Sequence, residues 1–403
     1  MRYAVIGDGV AGTMAAQALR NADSSAEVHI FSEEPYPYYR RPMLWEFIAG
    51  QVEQDAIFYR PLTWYDEHSI ALHLATSVAT LAPQEHRLGL ADGSTIAYDR
   101  LLLATGARPF IPSCMGAELA GVFTLRTLHD ALAIKAYAAQ SSTCVVIGGG
   151  LLGLETARAL TTAGLDVTVV EYAPYLLPRQ IDSDGAAVLQ ALLEQQGLHI
   201  ICNAQTDVIL GAGAASTIRL KDGRTLPADI VLFSTGIRPE TSLAQTAGIE
   251  TNRGVIVDRH LQTSAPDVYA AGDVAEFEGR VYGIIPPSIE QARIAAANMV
   301  NAGSATYAGT VPTTTLKIAG ADLTSLGDAL EREDTCQVLH RSGPTPGQYR
   351  RLVVRDGRLI GAVLLNDRKD VRPVSQLIER HADVSAHIEQ LLSDEFDLQR
   401  LLL

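Results

Sequence analysis

The sequence predicts an α/β protein with two parallel-sheet domains of the same design and a small α+β domain at its C-terminal end. An apolar segment, a glycine-rich turn and a helical segment follow one another at residues 3–20, and the same order recurs at residues 144–160. This order is typical of the first βα unit of a parallel sheet. The third part differs, because residues 349–365 predict a β-hairpin with an Asp-Gly turn.

Length, charge and cysteine content limit the possible classes of protein. The chain has 403 residues, which predicts two or three domains. Its net charge of -14 disfavours binding to nucleic acid or to anionic membranes. The four cysteines are widely separated and form neither a disulfide framework nor a metal-binding cluster. No apolar run reaches the roughly 20 residues of a membrane span, and a first strand beginning at Arg2 leaves no room for a signal peptide, so we expect a cytoplasmic enzyme.

Each strand–turn–helix segment carries the three-glycine pattern of a dinucleotide-binding turn. The first glycine permits a tight bend, the second lets the backbone approach a diphosphate, and the third lets the helix pack closely on the strand. The helix then directs its N-terminus at the phosphates. One such pattern is a weak signal, but two in the same setting predict two Rossmann-like dinucleotide-binding domains. The predicted cofactor-binding residues of these turns are Gly7, Gly9, Val10, Ala11 and Gly12 in the first copy, and Gly148, Gly150, Leu151, Leu152 and Gly153 in the second.

A second signal follows each copy and indicates that the repeat covers whole domains. An apolar run at residues 101–103 leads into Ala104, Thr105 and Gly106, and a similar run at residues 231–233 leads into Thr235 and Gly236. We therefore expect these residues to line the first and the second site, respectively.

Acidic residues after the second strand of each copy indicate which dinucleotide binds there. The strand at residues 167–170 ends in Glu171, and a carboxylate at this place hydrogen-bonds a ribose 2′-hydroxyl and repels a 2′-phosphate. The sequence therefore predicts NADH in preference to NADPH at the second site. In the first copy, the strand at residues 28–32 is followed by Glu33 and Glu34, and either is placed to hold an adenosine ribose. We prefer Glu33 and keep Glu34 as the alternative.

Residues 263–275 resemble the second FAD-binding motif of the pyridine nucleotide-disulfide oxidoreductase superfamily, and the resemblance covers nearly the whole chain. It implies a three-layer, glutathione-reductase-like fold. The implied domains are FAD-binding residues 1–112 and 242–311, NADH-binding residues 113–241 and a C-terminal interface domain at 312–403. The resemblance also implies that Gly272 and Asp273 contact FAD, with Asp273 on the ribityl chain.

A narrower resemblance is to NADH:rubredoxin reductases and to the flavoprotein part of NADH-nitrite reductases, and it rests on residues 37–50, 144–182 and 314–320. It implies that Leu151 gates the nicotinamide pocket. It also implies that a helix beginning near Pro286 directs its positive end at the flavin pyrimidine edge. The further FAD-contact residues that it implies are Arg41, Pro42, Val78, Arg126 and Ile285.

Disulfide reductases of this superfamily place redox cysteines beside the flavin, in the segment that corresponds to residues 35–50, and this chain has no cysteine there. We expect Cys114, the nearest one, to be structural. The C-terminal His-x-His-Pro signature of those enzymes is absent too, and we expect His381 and His387 in a solvated, charged helix. Without a thiol relay, electrons must leave the flavin directly for an outside acceptor.

Two glutamates stand where similar ferredoxin reductases have an ion pair. Those reductases carry a lysine near the flavin at the position of Glu46, paired with a glutamate at the position of Glu155. If both glutamates approach the flavin, we expect one carboxylate to have a raised pKa. Glu155 and Glu46 are therefore the catalytic candidates.

The predicted function is hydride transfer from NADH to FAD, followed by electron transfer to a small redox protein such as rubredoxin. Two alternatives stay open: an NADH oxidase or diaphorase-like activity, and a flavoprotein subunit of a larger complex. Arg351, Arg355 and Arg358 on the predicted hairpin are candidate docking residues for an acidic partner. The tail from Val371 to Leu403 predicts an amphipathic helix, packed on the same molecule or in a homodimer.

Overall fold

The computed structural model describes residues 1–318, 320–331, 335–343 and 345–402. Ala319, in the motif at 314–320, and Leu403, at the end of the tail, lie outside the described residues. The chain forms two compact units. Their segments are Met1–Met43, Val52–Pro109 and Ile237–Thr310 in the first, and Leu44–Gln51, Phe110–Gly236 and Val311–Leu403 in the second. The predicted three-part division stays a prediction.

The helices of the described residues differ widely in length, and those that follow the two glycine turns are among the longer ones. They are α1 (Val10–Ala22), α2 (Leu44–Ile48), α3 (Gln54–Ile57), α4 (Leu62–Glu67), α5 (Leu128–Ala138), α6 (Leu151–Thr162), α7 (Ser183–Gln195), α8 (Ser242–Thr246), α9 (Ile285–Val300) and α10 (Arg368–Glu379). All of these helices except α10 lie between residues 10 and 300, the part of the chain that contains the two glycine turns.

The strands are short in the first three quarters of the chain and longer near its end. They are β1 (Arg2–Ile6), β2 (Glu27–Phe31), β3 (Ile70–His73), β4 (Val78–Ala82), β5 (Arg87–Leu90), β6 (Thr95–Ala97), β7 (Arg100–Leu103), β8 (Ala107–Pro109), β9 (Val122–Thr124), β10 (Thr143–Ile147), β11 (Asp166–Val170), β12 (His199–Ile201), β13 (Thr206–Leu210), β14 (Thr217–Leu220), β15 (Thr225–Pro227), β16 (Ile230–Phe233), β17 (Ile237–Pro239), β18 (Val255–Val257), β19 (Val268–Ala270), β20 (Ala275–Phe277), β21 (Thr313–Ile318), β22 (Ala321–Gly327), β23 (Gln337–Ser342), β24 (Tyr349–Arg355) and β25 (Arg358–Leu365).

The first unit is organised around a five-stranded parallel sheet with the strand order β19-β7-β1-β2-β3. Its strands are nearly continuous apolar runs, as expected for a parallel sheet that is buried on both faces. Ile6, at the end of β1, lies opposite Phe31 in β2 and Leu103 in β7. The residues that follow these three strands therefore meet at one edge of the sheet, where the first glycine turn begins.

The second unit repeats this design in a five-stranded parallel sheet with the order β12-β11-β10-β16-β9. Ile147, at the end of β10, lies opposite Val170 in β11 and Phe233 in β16. A three-stranded antiparallel sheet, β13-β14-β15, occupies the place that β4-β5-β6 has in the first unit. The two copies differ at the outer strand, because β19 follows its copy in sequence whereas β9 precedes its own. Both sheets confirm the predicted α/β class.

The second unit also contains a five-stranded antiparallel sheet with the order β21-β22-β25-β24-β23. β24 and β25 form the predicted hairpin, in which Arg355 pairs with Arg358 across the two turn residues. Asp356 and Gly357 both have positive φ, at 49° and 72°. This is the conformation that favours Asp-Gly in two-residue hairpins.

The prediction of one amphipathic helix from Val371 to Leu403 is wrong. The helix is α10, which begins earlier and ends at Glu379, and short 3₁₀ turns follow at 385–390 and 398–402. The backbone N–H of Ser385 donates to Asp383, a local turn that competes with a continuing helix. Leu391 and Leu398 are buried with residues of α10, so separate turns satisfy the apolar spacing. His381 and His387 accordingly lie outside the helix in which they were expected.

Candidate dinucleotide-binding sites

The first glycine turn joins β1 to α1 and depends on close backbone contacts. Gly7 has φ +110°, and a Cβ atom placed on it would lie under 3.0 Å from the carbonyl oxygen of Ala104. A Cβ atom on Gly12 would collide in the same way with the carbonyl oxygen of Gly7. A Cβ atom on Gly9 would meet nothing within 4 Å. Gly7 and Gly12 therefore let strand and helix pack, whereas Gly9 keeps the space in front of the helix open.

The second turn, between β10 and α6, has the same construction. Gly148 has φ +116°, and an added Cβ atom would lie under 3.0 Å from the carbonyl oxygen of Ser234. Gly153 is held against the carbonyl oxygen of Gly148, and a Cβ atom on Gly150 would meet nothing within 4 Å. The repeat predicted from the sequence therefore extends to the individual contacts between these glycines and the neighbouring carbonyl oxygens.

The helices after the two turns begin without a side-chain cap. The N-cap residues of α1 and α6 are Gly9 and Gly150, which offer no acceptor to the first backbone N–H groups. By contrast, α5 and α7 are capped by the side chains of Thr127 and Asp182. Uncapped N–H groups at the positive end of a helix, facing open space, form a site for a phosphate. The residues present in each turn therefore fit one diphosphate-containing ligand. Val10, Ala11 and Gly12 form the first turn of α1, and Leu151, Leu152 and Gly153 that of α6.

The second signal of each copy lies beside its glycine turn. The backbone N–H of Ala104 donates to Ile6 at the end of β1, at 2.9 Å. The Thr105 hydroxyl donates to the carbonyl oxygen of Glu240, at 2.8 Å. This bond joins the segment before Gly106 to the segment that follows β17, within the first unit. In the second unit, the hydroxyl of Thr235 donates to the carbonyl oxygen of Phe110, and the backbone N–H of Phe110 donates to Gly236.

Glu171 lies directly after β11, at the edge of the sheet where the second turn begins. Its two carboxylate oxygens accept backbone N–H groups from Gly149, at 2.6 Å, and from Ala173, at 2.7 Å. These bonds fix the carboxylate beside the glycine turn, the position expected for a ribose ligand. The strand register makes Ser32 the counterpart of Glu171 in the first unit.

The two candidate ribose ligands of the first unit differ in their surroundings. Glu33 is largely exposed and lies 3.7 Å from Arg108. Glu34 is mostly buried and accepts hydrogen bonds from the Tyr39 hydroxyl and the Arg41 guanidinium. Glu34 therefore holds the segment that contains Arg41 and Pro42, while Glu33 presents its carboxylate to solvent. The choice between them stays a prediction.

The motif around Asp273 lies against the first turn of α1. A Cβ atom on Gly272 would approach the Cβ atom of Ala11 to 2.9 Å, and the backbone N–H of Gly272 donates to the side-chain oxygen of Gln291 in α9. Asp273 thus follows directly on a residue that touches the first glycine turn. The other predicted FAD contacts are spread more widely: Val78 begins β4, Ile285 begins α9 and is 40% exposed, and Arg126 lies in the second unit, before the Thr127 cap of α5.

Glu155 and Glu46 belong to the same unit, and Glu155 has a strongly shifted pKa. The pKa of Glu155 is raised to about 7, chiefly by burial and to a smaller degree by the charge of Glu46, while a backbone hydrogen bond from Lys317 and the charge of Lys317 oppose the rise. A carboxyl group with this pKa exchanges protons readily at neutral pH. The structure therefore supports a raised pKa for one of the two carboxylates, whereas the approach of either residue to the flavin stays a prediction.

Asp8, between Gly7 and Gly9, was not singled out from the sequence. Its side chain is half-buried and accepts hydrogen bonds from the Thr13 hydroxyl, at 2.8 Å, and from the Tyr65 hydroxyl, at 3.0 Å. Burial raises the pKa of Asp8 to about 6, although these two hydrogen bonds lower it. The signal that the sequence offered was an acidic residue between the first two glycines of a predicted phosphate-binding turn.

Family models match most of the chain. Residues 1–298 match the model described as pyridine nucleotide-disulphide oxidoreductase. The chain belongs to this family. Residues 312–382 match a second model, described as the rubredoxin NAD+ reductase C-terminal domain.

Two relatives and one solved structure illustrate the range of similar proteins. A nitrite reductase [NAD(P)H] of Bacillus subtilis is 36% identical over 94% of this chain, which spans about half of that relative (47%). The ferredoxin–NAD(+) reductase component of a biphenyl dioxygenase system from Paraburkholderia xenovorans is 34% identical over 99% of this chain and 98% of its own length. The structure of a ferredoxin reductase from Rhodopseudomonas palustris has a TM-score of 0.89 at 27% identity, over 99% of both chains.

These comparisons confirm the predicted family, its Rossmann-like fold, and FAD and NAD(P)H as the cofactors of the class. Although the family is named for disulfide chemistry, all four cysteines of this member are free. Burial raises the pKa of the Cys114, Cys144 and Cys202 thiols above the ordinary value, which disfavours the reactive thiolate form. Among the described residues, no group of three side chains is arranged to hold a metal ion, and no helix is long and apolar enough to cross a membrane.

The prediction that Arg351 belongs to an exposed docking surface is wrong. Its side chain is buried and forms an ion pair with Asp182, at 3.1 Å. Arg355 pairs with Glu331, at 3.3 Å, and Arg358 is exposed at the end of the hairpin. In this pyridine nucleotide-disulphide oxidoreductase, Arg351 therefore joins β24 to the cap of α7 and is not available to a partner.

Proposed function

We propose that this chain is an FAD-dependent oxidoreductase that transfers hydride from NADH to FAD and then electrons to an external acceptor, a small redox protein such as rubredoxin. The observation that carries the proposal is the pair of uncapped glycine turns, one in each unit. FAD, when bound, supplies the chemistry that turns a two-electron donor into a source of single electrons. The chain itself supplies binding, orientation and the placement of charge.

We assign FAD to residues 1–112 and 242–311, and NADH to residues 113–241. The contact of Gly272 with Ala11 supports the first assignment, because it brings Asp273 next to the glycine turn of the first unit. The position of Glu171 supports the second, because its fixed carboxylate suits a ribose 2′-hydroxyl and repels the phosphate of NADPH. On this assignment Leu151, at the start of α6, lies where the dinucleotide turns toward its nicotinamide.

We assign Glu155 the exchange of a proton during turnover. It lies on α6, one helical turn after Leu151, and its pKa of about 7 makes both protonation states accessible at neutral pH. Glu46 acts on it as a neighbouring negative charge, which favours the protonated form of Glu155.

A small redox protein as acceptor is supported by the match of residues 312–382 to a rubredoxin reductase domain. The relative from the biphenyl dioxygenase system, which aligns over nearly the whole of both chains, is named as a ferredoxin reductase. The raised thiol pKa values also favour direct transfer from the flavin over a cysteine relay.

The test is a visible spectrum of the FAD-loaded protein, recorded without oxygen during addition of NADH. We expect rapid loss of the flavin absorbance and no long-wavelength band from a thiolate beside the flavin. The reduced protein is then mixed separately with oxidised rubredoxin, oxidised ferredoxin and oxygen, and the redox protein is expected to react fastest. Failure to bind FAD, or flavin that neither NADH nor NADPH bleaches, would overturn the proposal.

One observation favours a second candidate function, that of an electron-transfer subunit in a larger complex. The chain spans about half of the Bacillus subtilis nitrite reductase, which is a longer protein than this one (47% covered). In that case NADH would still bleach the flavin, but the isolated chain would reduce rubredoxin and ferredoxin slowly. Co-purification with an iron–sulfur protein, and faster acceptor reduction in its presence, would support this candidate.

A further inference from the structure

Asp8 occupies an unusual place for a carboxylate. It lies between Gly7 and Gly9 in the first glycine turn, yet its side chain turns away from the open space and into the first unit. There it accepts hydrogen bonds from Thr13 in α1 and from Tyr65 in α4. The Tyr65 hydroxyl in turn accepts the backbone N–H of Tyr38, at 3.3 Å. Asp8 therefore joins the phosphate-binding turn to the segment that precedes Arg41 and Pro42.

The groups around this carboxylate do not neutralise it. The hydrogen bonds that reach it from the described residues come from the neutral Thr13 and Tyr65 hydroxyls and the Tyr38 backbone. The charged group that acts on it is Glu34, which is negative and makes ionisation of Asp8 harder. Glu34 is itself paired with the Arg41 guanidinium, at 3.1 Å. Tyr65 stays protonated, because burial and the charge of Asp8 both raise its pKa.

The second glycine turn serves as an internal comparison. Gly149 stands at the position of Asp8, and its backbone N–H donates to Glu171. A Cβ atom there would approach the Cδ2 atom of Leu176 to 2.6 Å, so a larger residue would require the Leu176 side chain to move. The negative charge beside the second turn therefore belongs to Glu171, the proposed ribose ligand. The negative charge of the first turn belongs to Asp8, which faces away from the position proposed for the phosphates.

We propose that Asp8 links FAD binding to proton uptake: its carboxylate takes up one proton when the diphosphate of FAD occupies the turn. This inference rests on the proposed function, because it requires FAD at the first turn. The diphosphate would bring two negative charges next to Asp8, which lies between the first two glycines of the turn proposed to hold it. Like charges at such a distance and in a partly desolvated place disfavour the ionised acid, so the bound state favours protonated Asp8.

The sign of the pH dependence follows from this linkage. Without FAD, Asp8 loses its proton near pH 6. Below that pH the residue is already protonated, and FAD affinity does not change with pH. Above it, binding must first add a proton to Asp8, so affinity falls by up to about tenfold for each pH unit until the pKa of the bound state is reached.

The experiment is a titration of FAD-free protein with FAD, followed by quenching of FAD fluorescence, from pH 5.5 to 8.5. We expect the dissociation constant of the wild type to rise above pH 6. Asp8→Asn keeps the side-chain shape and an acceptor for Thr13 and Tyr65 but carries no charge, so its dissociation constant should stay constant and be lower than that of the wild type at pH 8. The matched control is Asp23→Asn at the C-terminal end of the same helix, which should keep the wild-type slope.

Calorimetry of the wild type in two buffers with different ionisation enthalpies measures the proton directly and needs no variant. Uptake of close to one proton at pH 8, lost in Asp8→Asn, is the expected result. An equal pH slope in the wild type and Asp8→Asn, or binding of FAD by the wild type without proton uptake, would overturn the inference and leave the proposed function intact. Absence of FAD binding at every pH would overturn both.

Discussion

The two glycine turns share their backbone contacts but differ in the placement of charge. Gly7 and Gly148 are both pressed against a carbonyl oxygen of the neighbouring strand, and Gly12 and Gly153 are both pressed against the first glycine of their own turn. Between these fixed points the first turn has the half-buried carboxylate of Asp8, whereas the second has a glycine, Gly149. We therefore expect the glycines to permit dinucleotide binding in both turns, and the residues between and after them to set which dinucleotide binds and how its binding responds to pH.

The largest expected effect comes from the third glycine of each turn. A Cβ atom in Gly12→Ala or Gly153→Ala would collide with a backbone oxygen that cannot move aside, so we expect a loss of about 3 kcal/mol of unfolding free energy in either variant. Urea unfolding measures this loss. The comparison predicts different functional defects: Gly12→Ala should lose FAD, and Gly153→Ala should keep FAD but bind NADH poorly. Retention of FAD at wild-type affinity by Gly12→Ala would contradict the prediction.

Substitution of the second glycine of each turn should leave the stability of the protein intact and weaken ligand binding. Gly9 and Gly150 have φ of -93° and -81°, which alanine adopts readily, and their Cβ positions are open. Gly9→Ala and Gly150→Ala should therefore leave the protein as stable as the wild type, or more stable by about 0.5 kcal/mol. The added methyl group occupies the space through which the backbone approaches the diphosphate, so affinity should fall about tenfold, for FAD and NADH respectively. Equal affinities with and without the methyl group would place the diphosphate elsewhere.

A smaller effect is expected at the ribose position of the second turn. Glu171→Gln keeps the size of the side chain but removes its charge, so the preference for NADH over NADPH, measured as the ratio of kcat/KM values, should fall about tenfold. Ser32→Ala, at the matching register position of the first unit, should leave that ratio unchanged. An unaltered ratio in Glu171→Gln would mean that other residues reject NADPH.

The smallest effect concerns Glu155, which we expect to make stability depend on pH. Its pKa is raised from 4.5 to about 7, so between these values the folded protein binds more protons there than the unfolded chain does. The free energy of unfolding therefore decreases as the pH rises through this range. Glu155→Gln should remove that contribution and be more stable than the wild type by about 1 kcal/mol at pH 8, after allowance for solvent screening.

Urea unfolding at pH 4.5 and pH 8 measures this difference. Glu46→Gln serves as the matched variant, because removing its charge should weaken the pH dependence without abolishing it. If Glu155→Gln shows the same change in stability between the two pH values as the wild type, another group is responsible.

Local sequence patterns predicted much of the fold. The glycine turns, the strands before them and the Asp-Gly hairpin were all recognisable, because each depends on the conformations that a few neighbouring residues can adopt. The tail was predicted less well. Its apolar spacing suits a helix, but the bond from Ser385 to Asp383 favours a turn, and the two tendencies compete within a few residues.

Contacts between distant parts of the chain were beyond sequence reasoning. Arg351 was interpreted as a solvent-facing charge, yet it pairs with Asp182, which lies 169 positions away. An isolated sequence does not reveal that a strand near the C-terminal end passes the cap of α7. Buried arginines need such a partner, because an unpaired buried charge is strongly destabilising.

The sequence by itself was enough to predict the two dinucleotide turns and the family, because backbone geometry and hydrogen-bonding capacity are properties of residue types at fixed spacing. The preference for NADH at Glu171 stays a prediction. Only the tertiary structure decided which charges are buried. Asp8 was not singled out in the sequence, and Glu155 was only one of two candidates for a raised pKa. Their pKa values of about 6 and about 7 arise from the elements packed around them. Desolvation depends on every neighbour in space, whereas a motif specifies only neighbours along the chain.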